Sequence, residues 1–366
     1  MRSSSSPVEG KSNRSADAEG GRLGTNTCVV QRNLRLSRRF AASRLSKWVF
    51  ATTGRASSFD RISYCGHPLA GDVPIVTDGV KCWPRGVASC GLGWVCAVCN
   101  AKIRSRRAAD LQKVCDAHVA AGGRLSMLTL TVRHDRSMSL HSVMGAVSGS
   151  WRKVQRRKSW SAGLRKVLVG QVVAPEVTVG VNGWHPHLHL LLFAAPGVSE
   201  VELNGLLPSF TQDWIQLAGE ALGVSPSVEV GVNLIHFGVD SAAAASGYVS
   251  KVAKELTGGD MKSGRDPLAL LDSVRDGDSS AVAQFVDYAG VMKGRQSLTY
   301  SKGLKKLYPV AELTDEEIAA RDEALGVEVC VVPRDEWLSF LEAGSLDLIL
   351  EHLEEHFCRP GLLSSA

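Results

Sequence analysis

The run Trp184-His185-Pro186-His187-Leu188-His189-Leu190-Leu191-Leu192-Phe193 sets histidines into an apolar stretch with strand-like alternation. Side chains of a strand alternate between faces, so His187 and His189 share one face and Leu188, Leu190 and Leu192 the other. Two neutral imidazoles about 7 Å apart along a rigid strand make a clamp for a divalent cation. His185 shares their parity, but Pro186 beside it cannot donate to a ladder and marks a strand start or edge. Asn182-Gly183 just upstream is a hairpin signal. A turn centred there sets Val181 against Trp184, Thr178 opposite His187 and Glu176 opposite His189. Directly opposed residues have Cβ atoms about 5 Å apart on one face. Glu176 is therefore expected as the third ligand. Two histidines and a carboxylate leave open positions on an ion, which suits Mg²⁺ or Mn²⁺ gripping a phosphate oxygen.

A second constellation is made of cysteines. Five of the nine fall between Cys65 and Cys99. Such crowding points to metal rather than disulfides in a chain with no apolar leader segment. Cys96-Ala97-Val98-Cys99 has the spacing of a zinc knuckle. Cys65, Cys90, Cys96 and Cys99 are the favoured structural Zn²⁺ ligands, with Cys82 or His67 as substitutes. Directly after Cys99 comes a basic helix with Lys102, Arg104, Arg106, Arg107 and Lys113. A metal knuckle that fixes such a helix presents charge to phosphates.

The third feature is Tyr248, in Gly247-Tyr248-Val249-Ser250-Lys251. On a helix, Lys251 lies one turn on, placed to hold a phosphate or favour the phenolate, and Glu255 lies two turns on. Ala244 and Ala245, one turn earlier, leave room for a DNA strand.

These groups need elements to position them. Residues 1–58, rich in Ser, Arg and Gly, read as a largely disordered basic arm with a helix near Arg38–Phe50. Helices are expected over Ala101–Ala121, Leu140–Lys153, from Ser199 (capped with Glu202) to about Leu222, and over Ser241–Leu256. Strands are expected over Ser126–Val132, Lys166–Val179, the histidine segment and Val228–Phe237. The order implies an α+β sandwich with an antiparallel sheet. The expected division is a basic arm (1–60), a zinc-binding segment with its basic helix (61–121), a catalytic domain (122–310) and an acidic region (311–366). The net charge of +5 hides an asymmetry. Residues 301–366 hold six Lys/Arg against fourteen Asp/Glu, leaving a surplus of thirteen positive charges on the first 300. A basic body fits a polyanion partner such as nucleic acid. No apolar run reaches the ~18 residues that span a bilayer, so a cytoplasmic protein without membrane partners is expected.

Together these residues resemble the HUH endonucleases. The nearest likeness is to replication initiators of rolling-circle plasmids, of the actinobacterial Rep_1 type. The resemblance runs from about Arg61 to Tyr308. It is carried by Cys65-Gly66, Ser89-Cys90, Trp94-Val95-Cys96-Ala97-Val98-Cys99 and Leu128-Thr129-Leu130-Thr131-Val132-Arg133-His134. It continues in Glu176-Val177-Thr178, Gly183-Trp184-His185-Pro186-His187-Leu188-His189, Tyr248-Val249-Ser250-Lys251, Gly294-Arg295 and Ser301-Lys302-Gly303-Leu304. The resemblance implies an HUH core, a central antiparallel sheet flanked by helices. His187 and His189 would be its metal ligands, Tyr248 its nucleophile and Leu128–Thr131 the strand beside them. It further implies plasmid origin DNA as substrate, single-stranded at the nick, and a host helicase and DNA polymerase as partners, since no P-loop is present. Some relatives terminate with a second tyrosine or a glutamate near the first tyrosine. Ala244 and Val252 hold those places here, so Glu255 or a metal-bound water is expected to release the last strand. A transposase or mobilisation relaxase of the same superfamily would share the clamp and the tyrosine. A non-catalytic zinc-bearing regulator would keep the cysteines and the basic helix but have no use for Tyr248.

Overall fold

A computed structural model describes residues 19–237, 265–309, 313–321 and 326–358. In chain order the elements are helix α1 (Glu19–Thr53), strands β1 (Val73–Thr77) and β2 (Cys82–Pro84), helix α2 (Ala97–Ala120), strand β3 (Arg124–Thr131) and helix α3 (Leu140–Val154). Then come β4 (Leu168–Gly180), β5 (Gly183–Ala194), α4 (Glu200–Leu222), the short α5 (Val228–Gly231) and β6 (Val232–His236). The rest are α6 (Leu270–Arg275), α7 (Ser279–Met292), β7 (Thr299–Tyr300), α8 (Lys302–Leu307), α9 (Asp315–Ala320), β8 (Val327–Val332), α10 (Arg334–Ala343) and α11 (Leu346–Phe357). The expected helix at Ser241–Leu256, with Tyr248, Lys251 and Glu255, lies outside the described residues.

The chain forms two compact units. The larger comprises Arg38–His67 and Ala88–Asp322, and the smaller gathers Met1–Ser37, Pro68–Val87 and Glu323–Ala366. This grouping differs from the four consecutive segments read from composition. The cause is strand pairing: β1 lies between β2 and β8, both antiparallel to it. An insertion between the larger unit's two segments and a stretch that follows the second of them thus share one small sheet. Its core is Val73, Ile75, Cys82 and Val332 with Trp337, Leu341, Leu346 and Leu350 from α10 and α11. The N-terminal segment also departs from expectation, since helix covers Glu19–Thr53 rather than Arg38–Phe50 alone. Ala41, Ala42 and Leu45 bury one stripe of it in the larger unit's core, and that burial outweighs its polar composition.

The larger unit is built on an antiparallel sheet of order β6-β3-β5-β4-β7. One face of β5 carries Leu188, Leu190 and Leu192, packed with Leu128 and Leu130 of β3 against Val143, Val147 and Trp151 of α3 and Phe210 and Trp214 of α4. The other face carries Leu191 and Phe193, packed with Met127, Val172 and Ala174 against Leu111, Val114 and Cys115 of α2. Helices thus cover both faces. The second apolar patch ends where the leucine and phenylalanine of β5 give way to His189, His187 and His185. α4 starts as the sequence predicts, with the Ser199 side chain accepting from the Glu202 amide, and it ends at Gly223 with φ 71°. The first part of the expected strand Val228–Phe237 is instead the helical turn α5.

Candidate functional site

β5 lies between β3 and β4, so its side chains are fixed from both sides. The β3 ladder ends at the pair Thr131 and His187, while β4 pairs on to Gly183. Pro186 therefore sits one residue past the end of one ladder, where its missing N–H costs nothing.

The hairpin register differs from the sequence reading. Gly180 pairs with Gly183, so Val181 and Asn182 form the turn, Glu176 lies opposite His187, Thr178 opposite His185 and Ala174 opposite His189. Each partner slips by two residues, so the face of every side chain is kept. The reason lies at Gly183. Its φ is +83°, and a Cβ there would stand 2.9 Å from the Arg136 Cα. The glycine serves a close backbone approach at the start of β5 rather than the turn itself.

With the parity kept, Glu176 still reaches both histidines. Its Oε2 lies 2.5 Å from His187 Nε2 and 2.7 Å from His189 Nε2. The three ligand atoms all lie within 4.8 Å of one another. Burial disfavours the Glu176 carboxylate, but hydrogen bonds from His187 and His189 outweigh it and hold the group well below the ordinary carboxylate range. Sequence reasoning missed Thr129, whose Oγ1 lies 3.2 Å from His189 Nδ1. The signal was the alternation of Leu128-Thr129-Leu130-Thr131, which puts Thr129 on the face of its partner His189. It missed His134 as well, whose Nε2 lies 2.5 Å from His185 Nδ1. Burial, with His187 and His134 close by, pushes His185 down to about 4, so it is neutral near pH 7.

Beside Glu176 opens a small cleft lined by Trp94, Arg104, Pro175, Tyr288 and Ser297. Of Lys102, Arg104, Arg106, Arg107 and Lys113 on the basic helix, Arg104 alone lines this cleft. Arg106 pairs with Asp110 at 3.0 Å, Arg107 with Asp315 at 3.0 Å, and Lys102 Nζ donates to the Ala319 carbonyl at 3.4 Å. The helix spends much of its charge inside the protein.

Cys65, Cys90, Cys96 and Cys99 meet in one buried cluster. Cys65 Sγ is 3.7 Å from both Cys96 and Cys99, and Cys90 Sγ is 3.6 Å from Cys99. Four sulfurs at ~2.3 Å from a tetrahedral ion stand about 3.8 Å apart, so the spacing matches. Contacts from Cys90, Cys96 and Cys99 hold the Cys65 thiol far below its usual range, while the contact with Cys65 pushes Cys90 up. The cluster is seated by the first turn of α2 and by Arg39, which donates to the Cys65 carbonyl at 2.8 Å. Neither substitute ligand belongs to it. Cys82 is buried in the smaller unit, 3.8 Å from Cys358, and the His67 ring packs edge-on to Tyr64 at 6.2 Å.

Residues 89–329 match the Rep_1 family, described as replication protein. The chain belongs to the Rep_1 family of replication proteins. The family segment takes in the histidine strand, three of the four clustered cysteines and Glu176. A protein rep of Streptomyces lividans is 30% identical over 135 residues, 29% of this chain and 30% of that one. A neomycin resistance protein of Streptomyces cyanogenus is 29% identical over 133 residues, again 29% of this chain and 30% of the relative. The chain thus spans under a third of the length of the curated relatives it matches. No solved structure matches. These findings carry membership in a replication protein family, and the sheet with its covering helices gives an α+β fold. Among the described residues no helix is long and apolar enough to cross a membrane.

Proposed function

We propose that this chain initiates rolling-circle replication of a plasmid. It binds the origin, nicks one strand through Tyr248 and rejoins the strand at termination. The observation that supports this reading is the meeting of Glu176, His187 and His189 on one sheet face in a chain of a replication protein family. Two imidazole nitrogens and a carboxylate oxygen fit Mg²⁺ or Mn²⁺, which when bound would polarise the scissile phosphate and offset its developing charge.

The chain's own residues do the rest. Thr129 orients His189, and Glu176 accepts from both imidazoles, so the donor set is aligned in advance. The phenolic oxygen of Tyr248 attacks the scissile phosphorus and the bond to the 3′ oxygen breaks. The 5′ phosphate stays on the tyrosine, and the departing 3′ oxygen takes up a proton. Lys251, three residues on in the sequence, favours the phenolate. The free 3′-OH primes a host polymerase behind a host helicase. The phosphotyrosyl bond keeps the energy of the broken one, so attack by a 3′-OH reverses the step without ATP. Glu255 serves the release of the last strand. The four cysteines would hold a structural Zn²⁺, which when bound would fix the start of α2.

The test is incubation with single-stranded origin oligonucleotide and Mn²⁺. A covalent protein–DNA adduct is expected from the unaltered chain, with none from Tyr248→Phe, His187→Ala or His189→Ala, although these still bind DNA. An adduct from Tyr248→Phe sinks the assignment of the nucleophile. Metal analysis should find about one firmly held zinc per chain.

A further inference from the structure

Residues 136–175 hold eight Lys/Arg and not one Asp or Glu, although the chain as a whole carries a surplus of only five positive charges. Seven of the eight fall between Arg152 and Lys166, and Arg152, Lys153, Arg156, Arg157, Lys158, Arg165 and Lys166 are all exposed. Arg152 and Lys153 stand in the last turn of α3, where cations favour the helix dipole. That effect fades beyond the last turn and gives no reason for the remaining five, of which Arg157 stands 4.0 Å from Asp213. The segment is also held firmly. Trp160 is buried, edge-on to Trp151 at 4.9 Å and near Phe210 at 5.9 Å, and Ser159 Oγ donates to Asp213 at 2.6 Å.

A second observation lies behind the patch. Arg295, from the Gly294-Arg295 motif that the nicking chemistry leaves unused, donates to Ser148 Oγ on α3 and to the Val291 carbonyl. Burial and the charge of Arg152 together push its guanidinium down. Among the described residues neither Arg152 nor Arg295 has a carboxylate partner at ion-pair distance. Like charges held together in this way are a cost that an anion would offset.

We infer that the surface from Arg152 to Lys166, backed by Arg295, binds the phosphate backbone of duplex DNA. The inference rests on the initiator reading and adds where the duplex beside the nick is held. Duplex rather than single strand follows from the aromatics. Single-strand sites stack bases on exposed rings, and here Trp151 and Trp160 face the core. Contacts to phosphates alone carry no sequence preference, so this surface supplies affinity and register while the reading of sequence lies elsewhere.

The experiment measures binding of the full-length chain to a short fluorescent duplex of arbitrary sequence across a salt series. Each phosphate contact adds about 0.9 to the slope of log affinity against log salt. The triple variant Arg156→Gln, Arg157→Gln, Lys158→Gln should lower that slope by about 2 to 3 and weaken binding roughly 100-fold near 0.1 M salt. Its thermal unfolding should stay close to that of the unaltered chain, since these side chains are exposed and the Arg157–Asp213 contact, at 4.0 Å, is a surface pair of little worth. Arg295→Gln gives an independent arm and should also lower the slope. An unchanged slope in both variants overturns the inference. So does a slope that falls only for Lys102→Gln with Arg106→Gln on α2, or a loss confined to a single-stranded probe of equal length. Adduct formation by the unaltered chain tests the initiator reading separately, so the two can fail independently.

Discussion

At the residue scale, the candidate centre shows how a strand's period protects a site against errors of register. A slip by two moves Glu176 from opposite His189 to opposite His187, yet its carboxylate oxygen still meets both imidazoles. A slip by one would have sent it to the leucine face. The histidines and cysteines were legible in the sequence because their types and spacings are rare. Thr129 was not, since a threonine on a strand is ordinary until its partner strand is known. Thr129→Val keeps the shape and removes the oxygen beside His189 Nδ1. Such outer partners commonly matter by about 10–100-fold in metal affinity. We expect the Mn²⁺ midpoint for adduct formation to rise by that order while DNA binding holds. A midpoint that stays put would show that Thr129 does not orient His189.

At the scale of elements, His118 joins helix to sheet. It lies near the end of α2 and is buried, with Nε2 3.0 Å from the Ala194 carbonyl and 3.2 Å from the Arg124 carbonyl, and Nδ1 3.0 Å from the Tyr308 hydroxyl. Nε2 therefore carries the proton and donates to the ends of β5 and β3. Gly123 makes room for the ring, since a Cβ there would meet it at 2.2 Å. Burial pushes the His118 imidazole below its ordinary value, against the pull of the two carbonyls. The unfolded chain then binds the extra proton more readily than the folded one. The stability due to this group is complete above the unfolded value of about 6.5 and is lost as pH falls through it. Urea unfolding at about pH 8 and about pH 5 should show this loss. His118→Gln should lower stability at the higher pH and reduce the difference between the two. An equal difference in both proteins would place the pH dependence in other groups. The sequence announced α2 through its apolar spacing, and Gly122-Gly123 announced its end. That the second glycine seats a histidine appears only in three dimensions.

For the whole molecule, the unit most visible in the sequence is the larger one, where motif and element follow each other locally. The smaller unit was read as separate pieces because its sheet joins strands far apart in the chain, and composition carries no trace of such pairing. The basic surface after α3 was passed over for a similar reason. Five of its seven cations stand between two buried tryptophans, and the cysteine pair marks α2 as the more prominent basic element. Truncation after Arg321 removes β8, α10 and α11, and with them Trp337, Leu341, Leu346 and Leu350 from the small core. Each such side chain contributes roughly 1.5–3 kcal/mol when buried. Residues 68–87 should then become sensitive to limited proteolysis. The four clustered cysteines all lie in the larger unit, so the truncated chain should still give a tetrathiolate spectrum with Co²⁺. Continued protection of residues 68–87 would show that the small sheet does not need β8.

The pairing of β1 with β8 also bears on how the chain is made. β1 leaves the ribosome some 250 residues ahead of β8, its neighbour in the sheet. At about 5–20 residues per second, one side of β1 waits unpaired for tens of seconds during synthesis. An open strand edge of valine and isoleucine is a template for the wrong partner, such as the same strand on a neighbouring nascent chain. Pro74 does not guard this edge: its carbonyl accepts from the Arg85 amide at 2.8 Å, so its missing N–H lies on the β2 side. The edge that waits for β8 is formed around Val73 and Ile75, and neither carries a charge to blunt it. Soluble yield should therefore fall as ribosome density on the message rises, while refolding of the finished chain from dilute denaturant, where β8 is present from the start, stays unaffected.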